Sequence, residues 1–343
     1  MAIIKTEKLL INSSDYEKTI SRSAEILKQG GIVAVPTETV YGLAASALDE
    51  NAIKKVFEAK GRPQDNPLII HISDIDMLNE VAYDLPQTAN LCAEKFWPGP
   101  FTMVLKRTDK TAPCVSAGLD TVAVRMPNHK TALDIIKKSG LPLAAPSANV
   151  SGSPSPTSPF HVEDDLYGKI EAIVYDEECN VGVESTVVSF CCNPPRLLRP
   201  GAVTVEQLRE IIPDLEIDKA ILNQLEKGAR VESPGMKYKH YAPKTECFLV
   251  EGTNENFTDY VNKKENSVAI CFGEEAENIN IPKIIYGKAE DEQTLAHEVF
   301  SVLRKVDDLG CNEVFIHAPS KDGIGLAVYN RLLRACSFRV IEL

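Results

Sequence analysis

Residues 31–43 read GIVAVPTETVYGL, and this stretch decides how the chain is parsed. GIVAVP is a short apolar run, rich in β-branched residues and bounded by Gly31 and Pro36, which predicts a buried strand over 31–36. Upstream, Tyr16, Ile20, Ala24 and Leu27 share one face of a helix over 15–29, with Ser13 or Ser14 able to cap its start and Gly30-Gly31 to end it. Downstream come a helix near 50–60, the strand LIIHI at 68–72, helices near 75–82 and 87–96, and strands at 101–107 and 121–127. A helix at 130–139 and strands at 142–146, 172–176 and 185–190 lead to a helix at 204–212, opened by the capping pair Thr204 and Gln207. Several strands follow one another without a helix between them, so the expected sheet is mixed rather than purely parallel.

The pattern dissolves from 213 to 245, where SPGMKYKHYAPK has no apolar period and reads as a linker. Beyond it, strands and helices alternate again over 246–343 as a smaller open α/β unit of Rossmann-like type. A chain of 343 residues, 44% apolar and 25% charged, is long enough for two such bodies, 1–212 and 246–343. The net charge of −12 divides into −6, +1 and −7 over the first body, the linker and the tail. That balance opposes a broad grip on nucleic acid or anionic membrane but leaves room for a small anion held by local cations. Nine cysteines with no C-x-x-C predict reduced, mostly buried thiols, and no apolar run is long enough to span a bilayer, so the expected compartment is the cytoplasm.

The P-loop, the G-x-S-x-G elbow, the H-E-x-x-H helix and the dinucleotide fingerprint are all missing. PTETVYGL at 36–43 places two Thr hydroxyls, a carboxylate and a Tyr at a strand's C-terminal end, where ligand crevices of open α/β sheets form; it also reads as a polar turn with a buried Tyr. Lys60-Gly61-Arg62-Pro63 suits either a basic helix C-cap or a pair of fixed cations facing an anion. SANVSGSPSPTSP at 147–159, with five Ser and three Pro, is either a linker or an anion cradle. His71, Arg125, Glu184-Ser185-Thr186 and Arg199 are strand-end polar residues, individually weak.

Together and in this order, PTETVYGL, KGRPQDNPL, AVRMP, SANVSGSPSPT, GVESTVV and LLRPG resemble the YrdC-type threonylcarbamoyl-AMP synthases, and PGMKYKHYAP with the α/β tail is similar to their long two-domain form. The resemblance implies a twisted mixed-sheet YrdC-like domain and formation of threonylcarbamoyl-AMP and pyrophosphate from L-threonine, bicarbonate and ATP, with Mg²⁺ carried by the nucleotide and no metal held by the protein. It implies catalytic roles for Lys60 and Arg62, and an ATP site of Arg62, Asn66, Ser147, Asn149, Ser155, Arg199 and Tyr238. Thr37, His71, Arg125 and Ser185 would surround threonine. The product would pass to a downstream threonylcarbamoyl transferase complex acting on tRNA, without stable nucleic-acid or membrane binding by this chain. The linker, through Tyr238 or Tyr241 with Lys237 and Lys239, would close over the site. The alternative is a non-catalytic RNA-binding module of tRNA maturation.

Overall fold

The computed structural model describes residues 4–224 and 240–343. The first body runs β1 (Glu7–Leu10), α1 (Tyr16–Lys28), β2 (Val33–Val35), β3 (Gly42–Ser46), α2 (Glu50–Lys60), β4 (Ile69–His71), α3 (Ile75–Val81), β5 (Ala82–Tyr83), α4 (Gln87–Phe96), β6 (Phe101–Arg107), β7 (Thr121–Arg125), α5 (Lys130–Ser139), β8 (Leu143–Ala144), α6 (Pro159–Leu166), β9 (Ala172–Tyr175), β10 (Thr186–Ser189), β11 (Arg196–Arg199), α7 (Val205–Arg209) and β12 (Glu216–Ile217). Its strands join one sheet in the order β1-β9-β2-β3-β8-β4-β7-β6-β10-β11-β12, with β5 on β6. Parallel pairs such as β4 with β7 alternate with antiparallel ones such as β2 with β3, so the sheet is mixed as expected.

Local chemistry explains the helix ends. Asp49 caps α2 by accepting from the amides of Asn51 and Ala52, and Gly61 ends it at φ +60, in the left-handed region where glycine carries no Cβ penalty. The α7 capping box forms between Thr204 and Gln207. At α1 the cap position falls to Asp15 rather than Ser13 or Ser14, because Asn12 accepts from the Ser14 and Asp15 amides in a turn that delays the helix.

Six elements of the first body lie outside the sequence reading: β1, β3, β5, α6, β11 and β12. GLAAS at 42–46 has no β-branched residue, yet it is β3, buried throughout and held antiparallel between β2 and β8. PTETVYGL is therefore a hairpin connection. The serine-rich loop ends on α6, with Ser158 as N-cap and Pro159 at the first helical position.

The second body contains β13 (Glu246–Glu251), α8 (Asn254–Val261), β14 (Ser267–Cys271), β15 (Lys283–Ile285), α9 (Glu292–Lys305), β16 (Glu313–His317), α10 (Gly325–Ala335) and β17 (Val340–Glu342). Its five strands are all parallel, in the order β15-β14-β16-β13-β17. Residues 213–224, read from sequence as the start of the linker, instead pack on the first body: β12 pairs with β11, and Leu215 and Ile221 join its core. The apolar side chains that supply this packing are sparse, which hides them in the sequence.

The two bodies share a tight seam. All eleven residues of α10 are buried, and its Asn330 and Arg334 donate to the carbonyls of Ile221 and Ala220. Arg304 of α9 pairs with Asp165 at 2.9 Å and donates to the Pro154 carbonyl. Gly182, at φ +81, lies so close to α9 that a Cβ would sit 2.4 Å from the Ala296 carbonyl oxygen. Among the described residues no helix is long and apolar enough to cross a membrane.

Candidate active site

Beside the seam between the bodies lies a cleft that opens to solvent at its mouth. Four segments build it. The β2–β3 connection contributes Thr37, Thr39, Val40 and Gly42. Gly42 allows a close approach there: a Cβ would meet that of Ala145 in the facing segment at 3.2 Å, tighter than an ordinary contact. Thr37 donates its hydroxyl to the Val40 carbonyl at 2.6 Å, which curls the connection.

The C-terminal ends of β4 and β7 are parallel neighbours in register, so His71 lies directly beside Arg125. Burial, reinforced by the Arg125 charge, holds the His71 pKa well below the ordinary value, and the imidazole is neutral. Arg125 is itself buried, donating from Nε to the Gly99 carbonyl and from Nη1 to Thr39. Its Nη2 lies 2.6 Å from Glu38, within ion-pair range but off the line a hydrogen bond requires.

The third wall is Ala145, Pro146, Ser147, Asn149 and Ser153, tied to the first wall by the bond from the Ala148 amide to the Tyr41 carbonyl. Behind it stands Lys60. Its ammonium donates to the carbonyls of Ser147 (2.5 Å) and Asn149 (2.7 Å) and reaches Asn149 Oδ1 at 3.3 Å. Burial and the neighbouring Arg62 push the Lys60 pKa well below the ordinary lysine value, against the pull of Asp165 and Glu184. Three acceptors match the three protons of the charged form. Lys60 thus holds the loop and does not line the cleft, whereas Arg62, half-buried, does.

Glu184, Ser185 and Arg199 form the fourth wall with His240 and Tyr241. Arg199 donates to the carbonyl and hydroxyl of Ser185, and that hydroxyl meets Thr102 at 2.7 Å. Burial lowers the Arg199 pKa to about 10, which leaves it charged at neutral pH. Burial, with Arg62 and Arg334 nearby, lowers His240 to about 3.

Of the residues singled out from sequence, Thr37, Arg62, His71, Arg125, Ser147, Asn149, Ser185 and Arg199 line this one cleft. Ser155 stands behind the wall, donating to Glu184 at 2.6 Å, and Ser153 takes the lining position. Asn66 is fully buried beside Arg62, and its amide has no hydrogen-bond partner among the described residues. Tyr238, Lys237 and Lys239 fall outside the described residues. Sequence reading missed Thr39, Ser153 and His240, which lie inside the motifs it quoted. It also missed Arg331 of α10, whose signal is the polar set Asn330, Arg331 and Arg334 on one side of an otherwise apolar helix.

A mixed α/β body carrying a cleft with three arginines, neutral imidazoles and fixed hydroxyls, with a second α/β body packed behind one wall, has the features of a binder of small anionic molecules. Residues 25–201 match the family model Sua5_yciO_yrdC, described as "Telomere recombination", and residues 203–337 match "Threonylcarbamoyl-AMP synthase, C-terminal domain". The chain belongs to the Sua5/YciO/YrdC family, in its two-domain form. It is 43% identical to a threonylcarbamoyl-AMP synthase of Pyrococcus abyssi, over 95% of this chain and 96% of that protein. With the one from Bacillus subtilis it shares 40%, over 99% of this chain and all of the relative. The crystal structure of P. abyssi Sua5 complexed with L-threonine superposes with a TM-score of 0.91 at 40% identity, covering 98% of this chain and all of that one.

Proposed function

We propose that the chain condenses L-threonine, bicarbonate and ATP into L-threonylcarbamoyl-AMP and pyrophosphate, supplying the threonylcarbamoyl group of N6-threonylcarbamoyladenosine in tRNA. The observation that carries this reading is the convergence of Arg62, Arg125 and Arg199 on one cleft that hydroxyls, two neutral imidazoles and a single carboxylate, Glu184, also line. Likeness to synthases along the full chain supports it.

The chemistry has two steps. The threonine ammonium and bicarbonate give the carbamate, water and a proton. A carbamate oxygen then attacks the α-phosphorus of ATP, the bond from that phosphorus to the bridging oxygen breaks, and pyrophosphate leaves with the electron pair. Two anions must approach each other, so fixed cations matter most where charge gathers in the transition state. Arg62 and Arg199 are assigned to the phosphates, with Ser147, Asn149, Ser155, Asn66 and Tyr238 on the nucleotide side. The Lys60 ammonium acts through the loop it holds, keeping Ser147 and Asn149 in place.

Arg125 faces the threonine carboxylate, since Nη1 and Nη2 each carry a second N–H beyond the contacts to Thr39 and Glu38. Thr37, His71 and Ser185 complete that pocket. Among the described residues no three side chains of metal-binding type gather, and the Glu184 carboxylate is engaged by Ser155 and Arg331. Mg²⁺ would arrive on the triphosphate as part of the substrate. His240 and Tyr241 place the end of the linker in the cleft wall, where cover over the site would keep water from the mixed anhydride. The described cysteines form no disulfide, which suits work in the cytoplasm, and the adenylate would pass to a transferase acting on tRNA.

The test is mass detection of the adenylate after mixing protein, ATP-Mg²⁺, bicarbonate and L-threonine, with each component omitted in turn. Product is expected only in the complete mixture. A salt-sensitive tRNA complex with no pyrophosphate release would overturn the reading in favour of an RNA-binding module.

A further inference from the structure

Arg331 lies on α10 of the second body, is fully buried, and is absent from the cleft lining. Its guanidinium nevertheless grips two segments of the cleft wall. Nε donates to Glu184 Oε2 at 2.8 Å, Nη2 reaches the Glu184 carbonyl at 3.3 Å, and Nη1 donates to the Pro200 carbonyl at 2.9 Å and to Asn330 Oδ1 at 3.0 Å. The guanidinium carbon also stands 5.9 Å from the centre of the Tyr241 ring. The other carboxylate oxygen of Glu184 accepts the Ser155 hydroxyl at 2.6 Å. One side chain of the tail body thus fixes the segments on which Glu184, Arg199 and Tyr241 sit.

A carboxylate in the wall of a polyanion site needs an explanation. Burial alone would raise the Glu184 pKa, but Arg331 and Arg199 outweigh it and hold the group at about 2, so it is ionised at neutral pH. Left uncompensated, that charge would repel a triphosphate in a medium of low polarity. Arg331 cancels it from behind the wall while leaving Glu184 free to orient Ser155.

Resting on the ATP-site reading above, we propose that Arg331 is a positioning residue for the nucleotide half of the active site: the tail body neutralises Glu184 from behind and sets the wall that receives ATP. The active site is then incomplete in the first body alone, and α10 finishes it.

The experiment uses the full chain and compares the KM for ATP and for threonine, together with the melting temperature, in wild type, Arg331→Gln, Arg331→Lys and Arg331→Gln/Glu184→Gln. Arg331→Gln is expected to raise the KM for ATP at least tenfold and to move that for threonine less than threefold. The double variant removes both charges, and the amide oxygen introduced by Glu184→Gln can still accept from Ser155, so the KM for ATP should return to within about threefold of wild type. Simple loss of packing predicts no such rescue. A folded Arg331→Gln with KM for ATP within twofold of wild type, or an elevated KM that Glu184→Gln fails to relieve, overturns the proposal. Should Arg331→Gln not fold, the double variant, which leaves no unpaired charge, should fold with a KM for ATP within about threefold of wild type, as should Arg331→Lys, which keeps the charge; a double variant that also fails to fold, or whose KM for ATP is raised tenfold or more, refutes the proposal. If wild type forms no adenylate at all, the ATP-site reading fails first and this inference falls with it.

Discussion

Replacing Lys60 with methionine keeps the aliphatic stem and deletes the ammonium, which separates anchoring of the loop from direct contact with substrate. The ammonium serves the Ser147 carbonyl, the Asn149 carbonyl and Asn149 Oδ1. Hydrogen bonds to charged groups contribute about 1.5–3 kcal/mol each, so the gross loss is on the order of 5–8 kcal/mol. Against this, the variant escapes the several kcal/mol needed to dehydrate a fully buried ion, and the net destabilisation comes to about 3 kcal/mol. For a cooperative unit of roughly 200 residues each kcal/mol moves the midpoint by about 2–4 °C, which predicts a fall in Tm of about 6–12 °C. The assay pairs thermal melting by circular dichroism with pyrophosphate release. Arg62→Met is the control: Arg62 is half-buried, lines the cleft and reaches the Asn66 and Pro67 carbonyls at 3.4 Å, so its loss should lower turnover steeply while moving Tm less than Lys60→Met does. If Lys60→Met were instead inactive with an unmoved Tm, the loop-anchor role would be refuted.

Arg125→Ala should raise the KM for threonine more than tenfold and strand the buried Glu38 carboxylate, at about 3–5 kcal/mol of stability; adding Glu38→Gln should restore the urea midpoint without restoring the KM. Gly182→Ala forces a Cβ to within 2.4 Å of the Ala296 carbonyl oxygen at φ +81, so a lower urea midpoint, by about 2 kcal/mol or more, is expected, and an unchanged midpoint would contradict the close seam. Glu184 has its pKa lowered from 4.5 to about 2, which corresponds to stability on the order of 3 kcal/mol that is complete above pH 4.5 and lost as pH falls toward 2. Denaturant titrations between pH 5 and 3 should therefore show a shallower acid loss in Glu184→Gln than in wild type.

Most helices were legible from sequence because their signals are local; α6, at the end of the serine-rich stretch, was not. In α2 the Asp49 cap, the 3.6-residue apolar stripe and Gly61 lie within thirteen residues and all point to the same element. β3 was illegible because GLAAS carries no intrinsic strand preference; pairing with β2 and β8 makes it a strand. The site shows the same division. Arg62, Arg125 and Arg199 stood out as charged residues at element ends, whereas Ser153 and Thr39 are two among many hydroxyls until their backbone is placed.

Composition, periodicity and motif order by themselves determined that two α/β bodies follow one another, that the first carries a mixed sheet, and which motifs gather for an anionic ligand. Tertiary structure alone decided which cations reach the cleft and which stand behind it. Lys60 and Arg62 are two residues apart, yet Gly61 turns the chain between them, so one ammonium is buried on carbonyls while the other side chain faces the ligand space. It also decided that Arg331, 147 residues from Glu184, compensates that carboxylate. A buried charge must find its partner in space, and spacing along the chain does not encode where the fold will bring one.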